Sequence, residues 1–362
     1  FTSSTNSLNT AVGYYAGQAV TTGVQNTLIG GLAGDAITTA NDNTALGYAA
    51  LTANTTGHSN TALGRLALTA NTTASNNTAV GFNSLVSNTT AAHGTAVGNS
   101  ALGANTTGTR NTAVGSGAAD AINTGQDNTA VGAFALSTDT KGNYSTAIGR
   151  HALKTQNFTS ATSAHNTAVG YGAGEAVTTG ANNTLIGSLA GDALTTGENN
   201  VALGYAALGV NTTADDNVAI GAFSLDANTT GANNTAVGKS ALGANTTGAN
   251  NVAVGPAALT ANTTGTQNVA IGMKSLDANT TANDNVAVGY GTLGVNTTGT
   301  LNTALGHQTL EKNTTASNNT AVGGNALYKN TTGTNNTAVG YLAGDANTTG
   351  SQNTGIGVQS LS

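Results

Sequence analysis

Asparagines followed by two threonines are the residues whose type and spacing most directly suggest chemistry. The tripeptide Asn-Thr-Thr occurs thirteen times and matches the acceptor pattern of N-glycosylation. Each copy lies in turn-like sequence, which predicts a row of acceptors on a loop along one edge of the molecule. Attached sugars would keep a surface with few charges soluble, although a turn rich in Thr and Asn needs no sugar. The acceptors are Asn54, Asn71, Asn88, Asn105, Asn211, Asn228, Asn245, Asn262, Asn279, Asn296, Asn313, Asn330 and Asn347.

These tripeptides belong to a 17-residue repeat that runs through the chain. The repeat reads Asn-Thr-Ala-Val-Gly-X-X-Ala-Leu-X-X-Asn-Thr-Thr-Gly-X-X, and we number its positions 1 to 17 from the first Asn. The glycine at position 5 recurs in 21 copies at a constant interval of one repeat. The one exception is the longer spacing between Gly149 and Gly170, which contains a four-residue insertion. A short fixed period of this kind is typical of a solenoid.

Positions 2 to 5 have the pattern of a short β-strand that ends at a glycine. Position 2 is Thr or Val, and position 4 is Val, Ile or Leu in all 21 copies. Since side chains alternate along a strand, positions 2 and 4 share one face, which we assign to the core. Positions 8 and 9 predict a second short strand, and positions 12 to 17 a loop. The fold class is therefore all-β: a parallel β-solenoid of 21 coils, each formed by one 17-residue repeat.

Positions 9 and 12 exchange one large apolar residue, which supports this packing. Six copies lack Leu at position 9, and in five of them position 12 becomes aliphatic where Asn is usual. Two positions that trade volume in this way fill the same core space. The five replacements at position 12 are Val20, Ile37, Ile122, Val177 and Leu194.

Other recurring side chains suggest ladders or contact surfaces. Asparagine at position 1, present in 19 of 21 copies, is typical of a stacked ladder that satisfies backbone groups, and alternatively of a row of ligands. Threonine pairs at positions 13 and 14 resemble the arrays of ice-binding solenoids, although the adjacent glycine predicts a loop. Tyrosines at position 6 are candidates for contact with glycans or partner chains. They are Tyr14, Tyr48, Tyr171, Tyr205, Tyr290 and Tyr341.

Catalytic and metal-binding patterns are weak. The five histidines are far apart and have no metal-ligand spacing. Six aspartates share position 10, mostly in non-adjacent coils, whereas paired catalytic carboxylates need a cleft between them. We therefore expect no enzyme, no cofactor and no metal. The aspartates are Asp35, Asp120, Asp192, Asp226, Asp277 and Asp345.

Composition excludes several other classes of protein. A net charge of −6 spread over 362 residues gives no basic patch for nucleic acid. No apolar run is long enough to span a membrane. The chain has no cysteine and therefore no disulfide. Since residue 1 is Phe, we expect a processed form or a segment of a longer chain.

One block of coils is duplicated. The lead-in that starts at Phe1 returns at Phe158, so we divide the solenoid into block 1 (1–157, nine coils plus a four-residue insertion) and block 2 (158–362, continuous with it). The insertion should bulge from the coil surface without dividing domains. A specific ligand site should interrupt the repeat, which directs attention to 157–161.

The segment 234–242, Asn-Thr-Ala-Val-Gly-Lys-Ser-Ala-Leu, resembles the repeats of trimeric autotransporter adhesin heads. It is equally similar to the repeats of tail-fibre-like surface proteins of bacteria and phages. The resemblance implies a left-handed parallel β-roll, three chains side by side, and an adhesive or fibre role outside the cell. Coils of the adhesin heads are a few residues shorter, so Asn-Thr-Thr-Gly would be an added loop.

We therefore expect a structural, non-enzymatic fibre or adhesin shaft at a cell surface or virion. Its partners would be copies of itself, as a homotrimer or an end-to-end filament, with glycans or a host surface as further candidates. The alternatives are a receptor-binding phage tail fibre and a threonine-rich ice-binding solenoid.

Overall fold

The computed structural model describes residues 6–362 and forms two compact units, 1–182 and 183–362. Each unit is a stack of β-solenoid coils, one coil to each 17-residue repeat, and the described residues contain no helix. This confirms the predicted fold class. The boundary between the units differs from that between the duplicated sequence blocks at 157/158, which remains a prediction. The first copy of the duplicated lead-in, beginning at Phe1, lies largely outside the described residues.

Each coil contributes one three-residue strand at positions 2 to 4, followed by the glycine of position 5. Within residues 6–362 the strands of the first unit are β1 Thr10–Val12, β2 Thr27–Ile29, β3 Thr44–Leu46, β4 Thr61–Leu63, β5 Thr78–Val80, β6 Thr95–Val97, β7 Thr112–Val114, β8 Thr129–Val131, β9 Gly142–Asn143, β10 Thr146–Ile148, β11 Thr162–Ser163 and β12 Thr167–Val169. The strands of the second unit are β13 Thr184–Ile186, β14 Val201–Leu203, β15 Val218–Ile220, β16 Thr235–Val237, β17 Val252–Val254, β18 Val269–Ile271, β19 Val286–Val288, β20 Thr303–Leu305, β21 Thr320–Val322, β22 Thr337–Val339 and β23 Thr354–Ile356.

Within each unit every strand pairs in parallel with the equivalent strand of the next coil. Ala253, for example, lies opposite Ala270, one repeat further along the chain. The longer coil that contains the insertion keeps the same register, with Ala147 opposite Ala168, because its four extra residues come after the strand. Equivalent residues therefore form files that run across the coils.

The rest of each coil is a chain of turns, so the second strand predicted at positions 8 and 9 is wrong. Residues at positions 7, 9 and 17 commonly have a left-handed backbone conformation, as in Ala257 (φ 57°), Leu259 (φ 51°) and Gln267 (φ 59°). This conformation is uncommon for residues other than glycine. It turns both Ala258 and Leu259 into the core, which two successive residues of a strand cannot do.

The core contains the middle residue of each strand, and this corrects the assignment of position 4. Ala253 is fully buried, whereas Val252 and Val254 on either side are only half-buried. None of the 21 side chains at position 4 is buried. A coil this short encloses little space, and Leu at position 9 fills most of it, so only a small side chain fits opposite.

The exchange between positions 9 and 12 is confirmed and involves position 3 as well. Ile37 is fully buried in the coil that carries Gly34 at position 9. In the same coil Leu28 replaces the usual Ala of position 3, and a Cβ built on Gly34 would lie 2.8 Å from side-chain carbons of both Leu28 and Ile37. Three positions therefore share one core volume.

The glycine of position 5 is required by its backbone and its neighbour. Gly204 has φ +140°, and a Cβ there would lie 2.8 Å from the carbonyl oxygen of Gly221 in the next coil. The file of glycines at position 5 is thus a place where adjacent coils leave no room for a side chain.

Candidate functional site

The asparagines at position 1 form a buried ladder, which confirms the structural interpretation of this file. Asn251 forms a hydrogen bond with the equivalent asparagine of each adjacent coil. Its backbone N–H donates to Oδ1 of Asn234 at 3.0 Å, and its own Oδ1 accepts from the backbone N–H of Asn268 at 3.0 Å. Its Nδ2 also donates to the carbonyl of Gly265, 2.8 Å away in the same coil. The side chain therefore satisfies backbone groups that the turns leave unpaired.

The asparagines at position 12 begin a segment of turns, as predicted, but their side chains form a second internal ladder, so the predicted row of acceptors along the surface is wrong. Twelve of the thirteen are fully buried, and Asn347 is half-buried. Nδ2 of Asn262 donates to Oδ1 of Asn245 at 2.8 Å and to the carbonyl of Gly265 at 3.0 Å. Nδ2 is the atom that would carry a sugar, and both of its protons are used.

Glycosylation of this file remains a prediction, which intact mass would test. The burial adds a condition: a sugar would have to be attached before the coils close. It would then displace two hydrogen bonds of the folded coil. Where the file is interrupted by Ile122, the neighbouring Oδ1 of Asn105 is buried without a hydrogen-bond partner.

The outward face of the strands, unlike the two asparagine ladders, carries aliphatic side chains. Position 4 is 42% exposed at Leu46, 40% at Ile271 and 46% at Leu305. Position 2 adds Thr or Val beside it, and neither position holds a charged residue in any coil. Large contiguous apolar surfaces are unusual on monomeric soluble proteins. This strand face is therefore a candidate binding surface that continues from coil to coil in each unit.

Aromatic side chains at position 6 lie beyond the strand and are exposed, as predicted. Several are stacked on neighbours in adjacent coils. The rings of Tyr290 and His307 are nearly parallel, with centroids 5.5 Å apart, and those of Tyr205 and Phe223 meet edge-on at 5.2 Å. These contacts fix the rings, because stacking and edge-to-face packing are both favourable geometries.

The threonine pairs present one hydroxyl each to solvent. At position 13, Thr246 Oγ1 donates to the carbonyl of Thr263 at 3.0 Å, as its equivalents do in many coils. Thr247 at position 14 is exposed. Ice binding by this file remains an untested alternative.

The carboxylates of position 10 lie partly buried at the coil surface. Burial raises the pKa of Asp35, Asp120, Asp226 and Asp277 above the usual aspartate value. Asp277 lines one groove of about 240 Å³ together with Glu311 of another coil. No group of three or more His, Cys, Asp or Glu residues that could hold a metal ion occurs among residues 6–362.

The insertion is held by a buried polar network that sequence reasoning missed. Asp139 replaces the Asn of position 12, Gln156 replaces it in the next coil, and Ser145 replaces the Asn of position 1. Gln156 connects them: Nε2 donates to Asp139 Oδ2 at 2.7 Å and to Ser145 Oγ at 2.9 Å, and Oε1 accepts from Asn166 at 2.9 Å. Three departures from the repeat so close together are the signal that could have identified it.

The four extra residues follow this network. Phe158 is buried, and its backbone N–H donates to Asp139 Oδ1 at 3.1 Å. The following residues 159–161 are exposed, which agrees with the predicted bulge. A short strand pair, β9 with β11, restores the coil after it.

Comparison with known proteins assigns no family: no protein-family model matches the chain, and no curated protein is significantly similar to it. Across the part of the chain that the structure describes, no helix is long and apolar enough to cross a bilayer.

Proposed function

We propose that the chain is a structural shaft whose copies associate side by side through their strand faces. The observation that carries the proposal is the unburied aliphatic side chain at position 4 of every coil. Eleven strands in the second unit, each about 4.8 Å from the next, make an apolar strip about 50 Å long. Water contact with such a strip is unfavourable, and burial would stabilise the assembly.

The partner that fits best is another copy of the chain. A partner must offer apolar side chains at the coil spacing, and without charges, along the whole strip. The chain itself has this pattern at positions 2 and 4. Following the resemblance of the repeats, we propose a homotrimer with the three strand faces around a common apolar axis. We further propose that this shaft works outside the cell, as part of a fibre or adhesin, and that it is not an enzyme.

The test compares one set of charges on the strand face with the same set elsewhere. The variant L203D/V254D/L305D places three carboxylates on the strand face of the second unit. The control, N199D/N250D/N318D, places them at position 17, where the exposed backbone is left-handed and Asp occurs naturally, as at Asp216. Light scattering after gel filtration gives the mass of each species.

We expect the unmodified chain and the control to be trimers and the strand-face variant to be a folded monomer, because buried unpaired charges oppose association. A monomeric unmodified chain, or a strand-face variant that remains trimeric, would contradict the proposal. For the location, protease added to intact source cells should degrade the protein if it lies at the surface, and protection would argue against it.

A further inference from the structure

Arg65 lies between two aromatic rings at position 6 of three successive coils. Its guanidinium carbon is 6.0 Å from the ring centroid of Tyr48 and 5.4 Å from that of Phe82. These distances are within the range of cation–π attraction, so the two rings hold the side chain in one place. Neither ring contact is a hydrogen bond, so the N–H donors of the guanidinium remain available to a ligand.

Both rings are exposed, and Tyr48 is also supported from beneath. Tyr48 is 53% and Phe82 41% exposed. Tyr48 lies over Gly31 of the preceding coil, where even an added methyl group would touch the ring, at 3.5 Å from Cδ2. A ring held in this way is already ordered, so a ligand that contacts its exposed surface causes little further loss of conformational entropy.

The charge of Arg65 has no internal partner. It is the only Arg, Lys, Asp or Glu in residues 43–109. By contrast, the guanidinium of Arg110 is paired with Asp127, at 2.6 Å between Nε and Oδ1. Arg65 is therefore a fixed cation in a neutral neighbourhood, suited to bidentate recognition of a planar anion.

We propose that Tyr48, Arg65 and Phe82 bind an acidic saccharide. Tyr48 and Phe82 are two coils, or about 10 Å, apart, so that each coil spans a length comparable to one pyranose residue. Two sugar rings would pack with their apolar sides against the exposed parts of Tyr48 and Phe82, and the carboxylate of the sugar between them would accept hydrogen bonds from Arg65. This assignment goes beyond the proposed shaft function and does not depend on it.

This site differs from a contact between copies of the chain. A lateral contact would repeat in every coil, as position 4 does, whereas the next two coils carry Asn99 and Ser116 at position 6. A second arginine at this position, Arg150, lies 5.8 Å from the ring of Tyr171. The cluster there includes Glu175, whose Oε1 lies 3.3 Å from both Lys154 Nζ and His151 Nδ1, so Arg150 has a carboxylate nearby that Arg65 lacks.

Isothermal titration of the full chain with a hexamer of galacturonic acid, and with neutral cellohexaose of the same length, tests the proposal. We expect the acidic hexamer to bind and R65Q to weaken it at least tenfold. Y48A should weaken it as well, and R65K should fall in between because Lys cannot form a bidentate pair. The matched control R150Q makes the same change in charge at the same position and should leave binding unchanged.

Three results would overturn the assignment: no binding of the acidic hexamer, equal binding of both hexamers, or equal losses in R65Q and R150Q. The last would indicate non-specific attraction to positive charge. Circular dichroism confirms that each variant is folded. The mass of each variant by light scattering separates this proposal from the previous one, since R65Q should lose the saccharide without changing its assembly.

Discussion

Gln156 donates a hydrogen bond from Nε2 to Oδ2 of Asp139 at 2.7 Å, in a file where the regular coils pair asparagine with asparagine. The regular coils pass hydrogen bonds along the file through Nδ2 and Oδ1. Here Asp139 only accepts: its Oδ1 takes the backbone N–H groups of Gly142 and Phe158, at 3.0 and 3.1 Å. Because Asp139 can only accept, Gln156 must present Nε2 to it, which leaves Oε1 of Gln156 to accept from Asn166.

The first prediction concerns a substitution that removes the acceptor of the hydrogen bond from Gln156. In D139N, Nδ2 of the new asparagine faces Nε2 of Gln156, so two donors meet in a fully buried site. We expect a loss of about 2 kcal/mol in the local free energy of unfolding, because a buried donor without an acceptor costs about that much. Q156E should also destabilise the coil, since it places two carboxylates in contact.

The double variant D139N/Q156E should recover most of the loss. The carboxylate introduced by Q156E would then accept from the asparagine introduced by D139N and keep the existing contacts with the Ser145 hydroxyl and Asn166 Nδ2. Hydrogen exchange in peptides covering 139–166 measures the three variants, and a double variant as unstable as the sum of the two singles would contradict the hydrogen-bond directions.

The second prediction concerns the glycines of position 5. G204A forces a left-handed φ of +140° on alanine and brings its Cβ to 2.8 Å from the Gly221 carbonyl oxygen. We expect a loss of about 3 kcal/mol or more in its coil. The control G209A lies in the same coil, where the nearest atom to a new Cβ is 3.4 Å away, and should be close to neutral. Similar melting curves for the two variants would show that neither the backbone conformation nor the neighbouring coil requires glycine at position 5.

How much of this architecture could be predicted depends on what periodicity records. The spacing of the glycines predicts the coil length, and the recurrence of Asn at position 1 predicts its ladder. Both patterns can be recognised because they repeat along the chain with very few exceptions. Alternation separates positions 2 and 4 from position 3 but does not say which side faces inward. Hydrophobicity favours Val254 over Ala253 for the core, and the narrow coil reverses that choice.

The small volume inside the coil determines which side of the strand faces inward. Two coils carry a sequence signal of this. Leu28 and Leu185 occupy position 3 in coils that have Gly34 and Gly191 at position 9. That pairing places position 3 in the same volume as position 9. The second strand could not be excluded in this way, because left-handed leucines such as Leu259 (φ 51°) have no distinctive sequence pattern.

The third prediction uses this shared volume. A253L alone adds volume to a filled core and should cost about 1–3 kcal/mol, and L259G alone leaves a cavity and should cost about 2–5 kcal/mol. The double variant reproduces the combination of Leu28 with Gly34 and relieves the left-handed φ of Leu259. It should be more stable than either single variant. A double variant whose loss equals the two single losses added together would mean that positions 3 and 9 do not share space.

The fourth prediction uses two aspartates of one coil whose pKa values move in opposite directions. Burial raises the pKa of Asp120, and one of its carboxylate oxygens is buried without a hydrogen-bond partner. A raised folded-state pKa means that the fold binds the proton more tightly, so stability is greatest at low pH and falls as the pH rises through that pKa. D120N removes the ionisation, so it should raise the melting temperature at pH 7 and change it little near pH 3, below the usual aspartate range.

Asp127 provides the control, since its pKa is lowered by the hydrogen bond from Arg110. Its stabilisation is present above the usual aspartate range and is lost as the pH falls through the lowered pKa. D127N should therefore lower the melting temperature at pH 7, by a small amount because the ion pair is exposed, and have less effect as the solution is made acidic. The two variants differ in sign at pH 7 although both remove one carboxylate. If both shifted the melting temperature in the same direction at pH 7, net charge would be the cause, and the opposite environments of Asp120 and Asp127 would not explain the result.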